Sequence, residues 1–197
     1  MKTLQTLSCV ALSMLASTNF AADFAFDRPG AGVGTGITPV GQLAWEQGLP
    51  SVSYQQQNMT GGTDKNLSLN ADMLLRTGLA KGLELQLGWQ GPAWQQHKYA
   101  GLKTETDGLG DVSIGLKQAI DLGDERLSMA LLAEAIIATG NDGFTTHDDI
   151  YSLTSAVAYE FSDLIGTSIT MRYEAQDSNW AITAVPTLDY KIAGKLS

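Results

Sequence analysis

Cysteine is almost absent from this chain: the one present, Cys9, lies within the first ten residues. Disulfide frameworks and structural zinc sites both need several Cys or Cys and His together, so neither organises this protein. Histidine occurs twice. Basic residues are also scarce, with 12 Lys and Arg against 21 Asp and Glu and a formal net charge of −9. Nucleic-acid backbones are held by clustered Lys and Arg, and the acidic excess excludes them as partners. After the N-terminus no stretch approaches the roughly 20 apolar residues that a helical membrane span needs. Gly30, Gly32, Gly34 and Gly36 alternate, but no Gly-Lys-Ser/Thr follows them, which excludes a nucleotide-phosphate loop. The nucleophile elbow G-x-S-x-G is missing as well.

What is present begins with an export signal. Met1 and Lys2 give a positive start, residues 4–16 are largely apolar, and small residues run on to Ala22. This predicts a signal peptide over residues 1–22, cut after Ala21 or Ala22. Thr6-Leu7-Ser8 before Cys9 is a poor lipobox, which argues against a lipoprotein. Residues 23–41 are rich in Gly, Thr and Pro without a sustained period and read as an irregular lead-in.

Residues 42–197 form the main domain. In the stretch LSLNADMLLRTGLAKGLELQLGW, Leu67, Leu69, Met73 and Leu75 alternate with Ser68, Asn70, Asp72 and Arg76. After a short turn Leu83, Leu85 and Leu87 alternate with Glu84, Gln86 and Gly88. Period two marks strands with one apolar and one polar face. The same pattern predicts eight strands over residues 42–55, 67–76, 83–90, 111–119, 127–138, 150–161, 167–175 and 180–190. Gly48 and Pro50 predict a break in the first. Connections 77–82, 121–125 and 162–166 are tight turns. Connections 56–66, 91–110 and 139–149 are long, polar and glycine-bearing, and are expected to be loops. Short turns on one side and long loops on the other suit a membrane barrel.

The two faces decide between a soluble sandwich and such a barrel. Ile114, Leu116, Met129, Leu131, Leu153, Val157, Ile169 and Met171 belong to a face that no charge interrupts. Trp89, Tyr151, Tyr173 and Trp180 lie on it towards the long loops, and Tyr159, Phe161 and Tyr190 towards the short turns, as two girdles would. A lipid face tolerates no charge, since Arg or Lys at its midplane costs roughly 2–4 kcal/mol. The expected fold is therefore all-β, an antiparallel up-and-down transmembrane β-barrel of at least eight strands. Asp72, Arg76, Glu84, Lys117, Glu134, Glu160, Arg172 and Glu174 would then line the interior and pair with one another, because a buried charge without a partner is costly.

Two segments carry a family resemblance. Asp107–Lys117 reads DGLGDVSIGLK, and Arg76–Trp89 reads RTGLAKGLELQLGW. Through Gly108-Leu109-Gly110-Asp111-Val112, Gly115-Leu116-Lys117, Arg76, Gly78 and Leu83-Glu84-Leu85, the chain resembles the outer-membrane transporter family of the meta-pathway of phenol degradation. Arg28-Pro29-Gly30 fits its N-terminal segment. The resemblance implies a passive channel for small, hydrophobic or aromatic solutes. It also implies residence in the bacterial outer membrane among lipids and lipopolysaccharide, after insertion by the barrel-assembly machinery. The chain ends without the usual closing aromatic strand, and Ala193-Gly194-Lys195-Leu196-Ser197 resembles a turn. Either eight strands close the barrel here or, as the turn-like end favours, the chain is a C-terminally short version of a barrel of ten to twelve strands.

Other chemistries have weaker support. His97 and His147 fall in expected outer loops, and His147 has Thr145, Thr146, Asp148 and Asp149 beside it. These are suitable types for a base and its orienter in an outer-leaflet lipid-modifying enzyme. With no nucleophile motif, the expectation is that the protein is not an enzyme and binds no cofactor. Asp142, Asp148, Asp149, Glu105, Asp107 and Asp111 lack Ca²⁺-loop spacing and read as solvated carboxylates.

Overall fold

A computed structural model describes residues 32–191. The expected signal peptide, the first part of the lead-in and the turn-like residues 193–197 lie outside them. The described residues form twelve strands. In chain order they are β1 Leu43–Gln47, β2 Ser51–Met59, β3 Gly62–Asn70, β4 Met73–Ala80, β5 Leu83–Trp89 and β6 Pro92–Tyr99. They continue with β7 Leu102–Leu109, β8 Val112–Ile120, β9 Leu127–Ile137, β10 Ile150–Ser162, β11 Ile165–Gln176 and β12 Asn179–Tyr190. Every strand pair is antiparallel.

Eight strands form one sheet in the order β1-β4-β5-β8-β9-β10-β11-β12, and four form a second in the order β2-β3-β6-β7. The second sheet continues the first. Each of β2, β3, β6 and β7 prolongs a neighbouring wall strand across a two- or three-residue interruption. Gly48 N–H donates to Asp72 O (3.1 Å), Ala71 N–H to Pro92 O (3.2 Å), Gln90 N–H to Asp111 O (2.9 Å) and Gly110 N–H to Gly91 O (2.8 Å). The hydrogen-bond ladder therefore runs through the kinks, and four long strands bend together at one level. The break expected at Gly48 and Pro50 is one of these kinks.

This corrects the expected loops at 56–66 and 91–110, which are built as strands. Residues such as Tyr54-Gln55-Gln56-Gln57-Asn58 and Lys103-Thr104-Glu105-Thr106 meet water on both sides, so they carry no apolar face and no period-two signal. Backbone pairing needs no such face. The third connection, 139–149, remains irregular, and the tight turns lie where expected.

Gly91 shows how tight the bend is. Its φ is +77°, and a Cβ there would stand 1.5 Å from the carbonyl oxygen of Ala71. No side-chain rearrangement relieves a clash with backbone. Gly91→Ala is expected to separate β6 from β3 at the kink, and limited proteolysis should then cut the four-stranded extension while the eight-stranded wall survives.

Burial is inverted relative to a soluble protein. Arg76, Glu84, Asp111 and Lys117 have no solvent exposure, and the buried apolar residues are few and mostly small: Ala44, Leu74, Ala130, Leu132 and Ala156. The exposed set includes Ile114, Leu116, Leu153, Met171, Ile182 and Leu188. Tyr173 and Trp180 stack at 6.5 Å at one end of the apolar face. Tyr159 and Phe161 meet edge-on at 5.0 Å at the other. β1 and β12 are the edges of the eight-stranded sheet, and they are not paired with each other among the described residues. No described helix is long and apolar enough to cross a membrane, which says nothing about crossing by strands.

Candidate functional site: a charged interior threaded by the N-terminal segment

The lead-in turns out to have a definite place: residues 32–40 run across the concave side of the wall. Thr170 Oγ1 on β11 donates to Val33 O (3.1 Å). Thr35 Oγ1 and Ser128 Oγ on β9 lie 2.8 Å apart in a hydrogen bond. Arg76 on β4 donates to Gly36 O (3.1 Å), and Thr38 N–H donates to Glu84 Oε2 on β5 (2.5 Å). Val40 then bridges to Gly78 in parallel. The segment thus touches wall strands far apart in the sheet, which requires the sheet to curl around it. Gly78 permits the contact, because a Cβ there would come within 2.3 Å of Thr38 O.

Arg76 is the centre of the anchorage. Its Nε donates to Glu84 Oε1 at 2.8 Å, and one terminal nitrogen reaches Glu84 Oε2 at 3.0 Å. The other reaches Glu46 Oε1 on β1 at 2.7 Å. Gln86 Nε2 also donates to Glu84 Oε1 (2.7 Å). Both partners of the Arg76–Glu84 ion pair are fully buried, and Glu46 nearly so. A guanidinium suits this task because its planar fork serves two carboxylates and a carbonyl at once. Lys117 on β8 stands opposite Glu84 in the β5–β8 register and is also fully buried.

A second group lies further round the wall. Arg172 on β11 pairs with Glu134 on β9 at 3.1 Å and with Glu174 at 3.0 Å. Of the eight residues expected to line the interior, Arg76, Glu84 and Lys117 gather near the N-terminal segment, and Arg172, Glu134 and Glu174 form this separate cluster. Asp72 sits at the kink, close against Gly48. Glu160 joins neither group; it is exposed at a bulge near the short-turn end of β10. Glu46, Gln86 and Thr38 belong to the network but were not singled out from the sequence. For Glu46 a signal existed, since Ala44 and Glu46 alternate with Leu43 and Trp45.

Between these groups lies a cavity of about 970 Å³. Glu46, Asp72, Gln86, Asp111, Glu134 and Arg172 provide its polar lining, and Trp45, Leu74, Trp89, Leu132 and Ile136 its apolar lining. Gly32 and Val33 of the threaded segment also border it.

At the outer rim Asp111 holds the connection between β9 and β10. Its Oδ1 accepts from Thr139 N–H (2.9 Å), Gly140 N–H (2.7 Å) and Thr145 Oγ1 (2.8 Å). Its Oδ2 accepts from Thr146 N–H (2.7 Å) and Oγ1 (2.9 Å). Burial pushes this carboxyl up, but the N–H donors of Thr146 and Gly140 and the two hydroxyls outweigh it and hold the group below its ordinary value. Thr145 and Thr146 are thereby committed to Asp111. His147, with a positive φ of 65°, is exposed beyond them. His97 pairs instead with Asp64 (2.7 Å) on the four-stranded extension. Among the described residues no three His, Cys, Asp or Glu side chains converge to hold a metal ion.

Antiparallel up-and-down order, an apolar exterior and a charged interior define the β-barrel class of proteins. Within that class, the chain belongs to the family described as “Putative MetA-pathway of phenol degradation”, whose model matches residues 26–196. No curated protein and no solved structure matches the chain.

Proposed function

We propose that the protein is an outer-membrane barrel that passes small solutes, hydrophobic or aromatic ones included, through an interior gated by its own N-terminal segment. The observation that carries this reading is the placement of residues 32–40, of which Gly32 and Val33 border the cavity while Gly36 and Thr38 are clamped to Arg76 and Glu84. A solute in the cavity touches Gly32 and Val33, so movement of that segment is the step that opens the way. The exposed apolar belt supports burial among membrane lipids and lipopolysaccharide, since such a surface in water would drive association. The family's named link to phenol degradation supports a solute that such a pathway consumes. The role assigned to the interior charges is therefore positioning and passage, not catalysis.

A reversible lock tests the gate. Cys9 belongs to the expected signal peptide, so engineered thiols would be the only ones in the processed chain. Thr35→Cys with Ser128→Cys places two sulfurs where the hydroxyls now touch. In proteoliposomes, solute uptake should fall at least tenfold on oxidation and return on reduction. Uptake indifferent to the lock would remove the gate, and no uptake in either state would favour a structural barrel.

A further inference from the structure

We propose that the cavity selects by charge: it takes amphiphiles with an apolar body and a cationic head best, neutral ones less well, and rejects anions. The inference rests on the reading of the interior as a passage and adds the class of solute. The cavity is the site, and its charge balance sets the sign. Glu46, Asp72, Asp111 and Glu134 line it against a single cation, Arg172. That cation is already shared, because Arg172 serves both Glu134 and Glu174. Arg76 and Lys117 lie outside the lining: Arg76 divides itself between Glu46 and Glu84, and Lys117 stands opposite Glu84 in the β5–β8 register, so that with Glu84 and Glu174 included six carboxylates face three cations. Asp111 is satisfied by neutral donors alone, so nothing bonded to it cancels its charge.

Position strengthens the effect. A cleft lined by one sign of charge within low-dielectric walls focuses the field and concentrates the counter-ion. Here the apolar patch of Trp45, Leu74, Trp89, Leu132 and Ile136 lies in the same cavity as the carboxylates. A molecule with a ring at one end and an ammonium at the other satisfies both linings. A ring bearing a carboxylate satisfies one and opposes the other.

Three probes of one size and different charge test this on the full-length protein: benzylamine, benzyl alcohol and benzoate. Binding is followed by titration calorimetry and passage by proteoliposome swelling. Benzylamine should bind roughly tenfold more tightly than benzyl alcohol at low salt, with benzoate weakest. In about 1 M salt, where the screening length is about 3 Å, the difference should shrink to less than about twofold. Glu134→Gln should lower the benzylamine preference and Arg172→Gln should raise it. Opposite signs from two interior changes separate a field effect from a folding defect. Passage of all three probes alike, or a preference for benzoate, overturns charge selection while leaving the passage reading intact. Neither binding nor passage of any probe overturns both.

Discussion

Arg76→Leu is expected to destabilise the protein by about 3–5 kcal/mol, the cost of leaving buried charge without its partner. The side chain donates hydrogen bonds to Glu84, Glu46 and the carbonyl of Gly36. Removing it takes the shared cation from two buried carboxylates. Glu84 cannot rotate to water, because wall and threaded segment enclose it. Denaturant titration of the folded protein measures the loss. Glu84→Gln combined with Glu46→Gln and Arg76→Met should recover most of it, since replacing a buried ion group as a whole is far less costly than breaking it. The single and combined variants should differ in a second way. With Glu84 retained, Thr38 N–H keeps its acceptor, so Arg76→Leu frees the segment at Gly36 only. The combined variant lacks the charged acceptor as well, and protease should reach residues 32–38 faster in it despite its higher global stability. A combined variant as unstable as Arg76→Leu would show that the ions matter through shape and not through charge.

The wall was legible in the sequence because an apolar exterior and a charged interior impose opposite demands on alternate residues. Leu83-Glu84-Leu85-Gln86-Leu87 could be read directly, and each of its side chains faces the side expected of it. The four-stranded extension was not legible. Both sides of Tyr54-Gln55-Gln56-Gln57 or His97-Lys98-Tyr99 are wet, so backbone pairing holds these strands with no hydrophobic pattern to announce it. Alternation puts the interior charges on one face, yet their grouping depends on long-range register that alternation does not encode. Glu160 shares its inward parity with Ser152 and Thr154. It nevertheless sits where a bulge ends the ladder, and its backbone N–H donates to the carbonyl of Arg126 beside the short turn, away from the grouped interior charges. The lead-in gave the least. Its residues lie along no strand face, and the surviving trace of their role is the small size of Gly32, where a Cβ would press on Thr170 Oγ1 at 2.8 Å.

At the outer rim, Asp111→Ala is expected to free residues 139–146 without unfolding the wall. Five donors converge on this one carboxylate, three of them backbone N–H groups. Hydrogen bonds to a charged group contribute about 1.5–3 kcal/mol each, and water recovers part of that once the loop lifts. Amide exchange at Thr139, Gly140 and Thr146 should therefore accelerate by roughly 10²-fold or more, corresponding to about 2.7 kcal/mol or more of local stability. Amides in β9 and β10 away from the rim should change little, because their partners are ladder carbonyls. Acid should imitate the substitution. The carboxyl titrates below its ordinary value of 3.8 in the folded protein, so its contribution is complete above that value and fades as the pH falls through the lower, folded one. Loop amides should thus be protected at pH 6 and lose protection below about pH 4, in the same order as in Asp111→Ala. Asp111→Asn keeps the shape and one acceptor oxygen but turns the other towards the donors as an NH₂. It should fall between the two, exposing the Thr146 or the Gly140 side of the loop but not both. Equal exchange in wild type, Asn and Ala variants would mean that Leu109, which exchanges two hydrogen bonds with Asn141, holds the loop without help from the carboxylate.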